Sequence, residues 1–185
     1  MQQVSHSEKL VTVLAQQENV DDSLAVQLLE AQLSHSDGIR GFFVTYLTAL
    51  DGDSPADWET VPTALEKAMK GADATDLIPL ACMNVVMPTG MITMHKEEEL
   101  AQQSQTTAER GLRVLQTLLS HGNTRAQCRA ILAVARGTSA SGEQQVAKDV
   151  DEKLFAYWTE FFDKWGYKEL QKRDIAQAMM SVLET

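Results

Sequence analysis

Residues 77–94, LIPLACMNVVMPTGMITM, run for eighteen positions without a charge and then pass directly into His95, Lys96 and three glutamates. A run this apolar must leave water, in a protein core or in a bilayer. A bilayer span needs roughly 20 predominantly apolar residues. This run carries two prolines, a glycine, an asparagine and two threonines, and nothing else in the chain resembles a second span. The expectation is therefore a buried central helix and no membrane partner. Asp76 is expected to cap it, with Pro79 in the first turn, where a missing amide proton does no harm. Pro88-Thr89-Gly90 is expected to end it, so that residues 88–92 form a turn and His95 with the glutamates opens the next helix.

The rest of the chain has the same character. No β-branched or aromatic run alternates with period two, and no Asn-Gly or Asp-Gly hairpin turn occurs. Ile39, Phe42, Phe43, Tyr46, Leu47 and Leu50 follow i, +3, +4, +7, +8, +11, one apolar stripe of a helix. Other helices are expected over about 7–17, 23–33, 58–70, 93–120, 123–137, 143–165 and through Ile175, Ala178, Met179, Val182 and Leu183. Gly71 and Gly166 read as helix ends. DGDSPAD at 51–57 and GTSASG at 137–142 read as loops. No repeat of fixed period appears. The fold class is all-α: one domain over 1–185, a compact multi-helix bundle of about eight helices with short loops, which this length is ample to support.

Charge narrows the function. The net charge is −10, which disfavours nucleic acid and anionic lipid as partners. A helical DNA-binding regulator is disfavoured further, because the first fifty residues carry only Lys9 and Arg40. The two cysteines, Cys82 and Cys128, have no zinc-type spacing and sit among apolar residues, so they are expected to be reduced and buried. With no basic n-region at the N-terminus, the expected location is cytoplasmic.

Four groups are site candidates, each set against a plainer reading. Met83, Met87, Met91 and Met94 would share about 80° of a helix if it were continuous. With Trp158 and Phe162 the first three make a candidate ligand pocket; the plainer reading is core filling. His95 with Glu98 and Glu99 is a weak metal candidate, because di-iron bundles need a second such pair; a solvated first turn is the plainer reading. Residues 100–142 hold five arginines (Arg110, Arg113, Arg125, Arg129, Arg136), no lysine and one acid, Glu109. Arginine forks carboxylates and phosphates, so Arg125, Arg129 and Arg136 are interface candidates, against pairing within the chain. Seven of eleven aromatics fall in residues 155–167, with Leu154, Trp158, Phe161 and Trp165 at seam-like spacing and Tyr157 to another side. Phe155, Trp158 and Trp165 are interface candidates there, against core packing.

Catalytic constellations do not assemble. Ser34, His35 and Asp37 crowd one turn, whereas a triad meets in space, and no GxSxG, Walker or GxGxxG pattern occurs. The sequence therefore points to a non-catalytic protein without a cofactor, acting on a protein partner or on itself as a homodimer. The alternatives are a small-molecule-binding protein with a Met/aromatic pocket and, behind it, a metal-dependent helical enzyme.

Overall fold

The computed structural model describes residues 8–9, 11–12, 14, 22–49, 54–137 and 150–185. Among them are eight α-helices, one 3-10 turn and no strand, so the chain is all-α as its periodicity predicts. The helices are α1 Asp22–Gln32, α2 Ser36–Thr48, α3 Thr63–Gly71, α4 Ala74–Ile92, α5 Glu98–Thr117, α6 Thr124–Ala135, α7 Glu152–Trp165 and α8 Glu169–Leu183; the 3-10 turn is Pro55–Asp57. The expected helix over 7–17 and the expected loop at 137–142 fall mostly outside the described residues, and Leu50 falls outside them too.

The charge-free run forms α4, the hub of the fold, which packs against α2, α5, α6 and α8. By length and composition alone α4 would also cross a bilayer. Its side chains from Leu77 to Val86 supply the centre of the core, including Leu77, Ile78, Cys82, Val85 and Val86, all fully buried. Two local expectations fail here. The N-cap is Asp73, whose carboxylate accepts from the Thr75 amide at 2.8 Å, so α4 starts before Asp76 and Pro79 lies beyond the first turn. More importantly, the helix does not stop at Pro88-Thr89-Gly90 but runs through them to Ile92.

Packing explains why those residues are there. Pro88 has no amide proton for the Asn84 carbonyl four residues back. α5 comes close to that carbonyl: a Cβ on Gly111 would stand 2.6 Å from it. Gly90 serves the other flank, since a Cβ there would stand 2.5 Å from the Tyr167 ring. Both glycines permit close approach and neither marks a turn.

Elsewhere the helices begin and end where local chemistry puts them. Pro62 is the N-cap of α3, so the helix expected over 58–70 begins at Thr63. Asp151 accepts from the Lys153 and Leu154 amides at 2.9 and 3.0 Å and starts α7 there, later than position 143. Gly166 closes α7 in the left-handed region, φ 63°, which glycine adopts without a steric penalty. The α2 stripe is buried as its spacing predicts, from Ile39 to Leu47.

One buried cation ties the two halves of the chain together. Arg110 on α5 forks Asp57 through Nε–Oδ1 at 2.7 Å and Nη2–Oδ2 at 2.6 Å. Its Nη1 donates to the carbonyls of Leu47 and Ala49 at 2.9 and 2.7 Å, which α2 leaves open at its C-terminus. Arg113 donates to the Ala56 carbonyl at 2.7 Å. The arginines read as a patch thus divide, and Arg110 and Arg113 are consumed inside the fold.

Four outcomes are expected. Gly111→Ala must displace backbone and should lower unfolding free energy by roughly 1–3 kcal/mol. Gly71→Ala should stay within about 0.5 kcal/mol, because its nearest neighbour is the flexible Glu30 carboxylate; urea unfolding of both variants reads the contrast. Asp57→Ala leaves Arg110 buried without its anion and should cost about 2–3 kcal/mol. The hydrogen bonds from Arg110 hold the Asp57 carboxyl below its ordinary pKa against a smaller opposing effect of burial. Its contribution is thus fully present above the unfolded-state pKa and lost as pH falls through the lower folded value. Acid titration of stability should therefore show a smaller acid-side loss in Asp57→Asn than in the wild type.

Candidate functional site

Because α4 is continuous, Met83, Met87 and Met91 stand one turn apart on a single face. They form the floor of a groove of about 860 Å³ between α2, α4 and α5. Arg40, Val44 and Leu47 form the α2 wall, and Leu100, Ser104 and Thr107 part of the α5 wall. Groove volumes of roughly 300–1,000 Å³ are typical of small-molecule sites, so this one is large enough to matter. Val44 is 54% exposed and Leu100 40% exposed, both beside the half-buried methionines. Apolar side chains of this size left open to water beside one another mark a binding surface more often than scattered single residues do.

Polar side chains share the lining, and Thr48, Asn84, His95, Ser104, Thr107 and Arg110 have hydrogen-bond partners. His95 Nε2 and Ser104 Oγ lie 3.1 Å apart and share a hydrogen bond. The Asn84 amide donates to the Leu80 carbonyl at 2.8 Å. Arg110 also lines the groove, but its charge is matched by Asp57. Arg40 is exposed at the rim and makes no ion pair among the described residues. No aspartate or glutamate is among the described residues that line the groove.

The other expected site residues are distributed differently. Trp158 and Phe162 do not reach this groove: both are buried in the core where α7 meets α6. Trp158 donates its indole N–H to Gln127 Oε1 at 2.6 Å, which satisfies the one polar atom of a buried indole. That placement removes Trp158 from the pocket set and from any surface interface. Phe155 is half-buried against the core, and Trp165 is 39% exposed. The seam expected through Leu154, Trp158, Phe161 and Trp165 is rotated. Trp158 and Phe162 point inward, while Tyr157 and Trp165 are exposed at i and i+8 with Phe161, half-buried against the core, between them at i+4. Arg125 and Arg129 are exposed on α6 and Arg136 lies against Met180 on α8, so Arg125 and Arg129 take no carboxylate partner among the described residues.

Glu98 and Glu99 occupy the exposed first turn of α5, where the helix dipole favours them. Among the described residues no three His, Cys, Asp or Glu side chains converge on a point that would hold a metal. Met94 lies past the end of α4, exposed, and does not line the groove. His35, read within a crowded turn, caps α2 by accepting from the Gly38 amide at 2.8 Å. Cys82 and Cys128 are both free and fully buried, and they meet in the core. Contact with Cys128 and loss of water hold the Cys82 thiol well above its usual pKa, so it stays protonated and unreactive.

Val44 and the α5 wall went unseen in the sequence. Val44 carried a usable signal, an apolar residue on the outer side of an otherwise clean stripe. Leu100 and Thr107 on α5 face the groove. No curated protein and no solved structure matches the chain. The model of the family described as uncharacterised conserved protein UCP020893 matches residues 1–182, and the chain belongs to that family.

Proposed function

We propose that this chain is a non-catalytic binding protein that takes a small hydrophobic molecule in the groove over Met83, Met87 and Met91. The observation that carries this reading is the alignment of three methionines on an unbroken α4 beside exposed Val44 and Leu100. Methionine is flexible and polarisable, which suits a surface that must mould to its ligand. His95 and Ser104 are engaged with each other and Arg110 with Asp57, which leaves burial and orientation as the chemistry this groove supports best.

A neutral environment-sensitive dye such as Nile red tests this directly. The wild type should take it up saturably with a blue-shifted emission. Met87→Glu places a charge on the floor of the groove and should weaken uptake by about tenfold or more while leaving the thermal midpoint near wild type. Equal uptake by both proteins would sink the reading.

Self-association is the second reading, and it rests on the outer stripe of α7. Tyr157 is 42% exposed and Trp165 39% exposed, with Phe161 between them at 6.2 Å from Trp165. Aromatics dominate interface hot spots. Light scattering at rising concentration should then report a homodimer that Trp165→Ala weakens, and a strict monomer at high concentration would dismiss it.

A further inference from the structure

We propose that the ligand of the methionine groove is an amphipathic carboxylate, with its acid group on Arg40 and its hydrocarbon chain along Met83, Met87 and Met91; this rests on reading the groove as a small-molecule site. The argument is one of charge. The chain holds 26 acidic residues against 16 basic ones, yet among the described residues that line the groove there is no acid. Asp37, one turn before Arg40, is exposed and does not line the groove. At physiological ionic strength charges are screened over about 8 Å, so an entering anion feels the charges nearest the groove, Arg40 and the neighbouring Asp37 included, more than the net −10.

Among the described residues two arginines line the groove, and one of them is without an ion-pair partner. Arg110 is buried and already forks Asp57. Arg40 makes no ion pair among the described residues. One unmatched guanidinium suits one carboxylate, which it can hold with two parallel hydrogen bonds. A phosphate dianion would keep a charge unmatched. The geometry fits a molecule with one polar end. Arg40 precedes Leu47 by seven residues, about 10 Å along the axis of α2. Leu47 is the end of α2 that Arg110 holds, so the free cation stands well away from the paired one. Met83 to Met91 runs about 12 Å along α4, and apolar side chains of all three helices face that length.

The test compares dodecanoate, dodecanol and Nile red on the full chain, wild type and Arg40→Gln, by displacement of the dye and by calorimetry at neutral pH. Dodecanoate should bind the wild type at least about tenfold more tightly than dodecanol, the discrimination expected of a charge-assisted pair. Arg40→Gln should bring the ratio of dodecanoate to dodecanol affinity to about one, and Arg40→Lys should restore part of the preference. Equal binding of acid and alcohol, or an acid preference that survives Arg40→Gln, overturns the assignment while the groove stands. Failure of all three probes to bind overturns the groove reading and this proposal together. Dye uptake that falls with protein concentration as a dimer forms, with no displacement by dodecanoate, makes the occupant a second copy and also overturns it.

Discussion

Everything distinctive in this molecule depends on α4 remaining helical through Pro88. An interior proline costs a helix roughly 3 kcal/mol, through a lost hydrogen bond and a clash with the carbonyl one turn back. Two features offset that here. Proline sits close to the end of α4, with only Thr89 to Ile92 beyond it. The helix also buries Leu77, Ile78, Val85 and Val86 completely among four neighbours, each worth roughly 1.5–3 kcal/mol. Tertiary burial therefore outweighs local propensity. The freed Asn84 carbonyl then lies under Gly111, where two backbones meet with no side chain between them. Weak Cα–H···O contacts recur in such close helix pairs.

That close contact sets the groove. α5 is held near α4 at Gly111, and α2 is held to α5 by Arg110 through the Leu47 and Ala49 carbonyls. Three helices pinned at one end leave a trough along the rest of their length. Its floor is the methionine row, and its walls carry Val44 and Leu100. The buried cation is thus structural at one end of the trough, while Arg40, on the same helix wall, is free of such duties among the described residues. A single residue type plays two parts, separated by burial and by the presence or absence of Asp57.

The sequence was legible where one physical rule acted alone. The α2 stripe, the closing glycine of α7 and the inner side of α8 at Ile175, Met179 and Val182 follow from periodicity and from the left-handed preference of glycine, and all three stand in the structure. It was misleading where two rules competed. Pro88 and Gly90 carry strong local turn signals, yet Gly90 exists to admit the Tyr167 ring and Pro88 is carried by burial. Trp158 shows the same conflict. Tryptophan at seam spacing resembles an interface anchor, but Gln127, thirty-one residues earlier, supplies the indole with a buried acceptor that no local pattern reveals. Arg110 and Asp57 are fifty-three residues apart, so their pairing also lies beyond any window of periodicity.

The composition of the groove separates two sources of selectivity on the proposed reading. Methionine side chains have three rotatable bonds and repack around different shapes, so the floor discriminates weakly between hydrocarbon chains of different form. Hydrophobic pockets in general distinguish one methylene by only about 1–3 kcal/mol. A guanidinium is different: it offers a fixed fork, and an uncharged head group leaves it without its partner. Selectivity in such a site therefore resides at Arg40 and not along the methionines. That no acid is among the described residues of the lining acts in the same direction, because a carboxylate placed on that wall would offset the charge of Arg40.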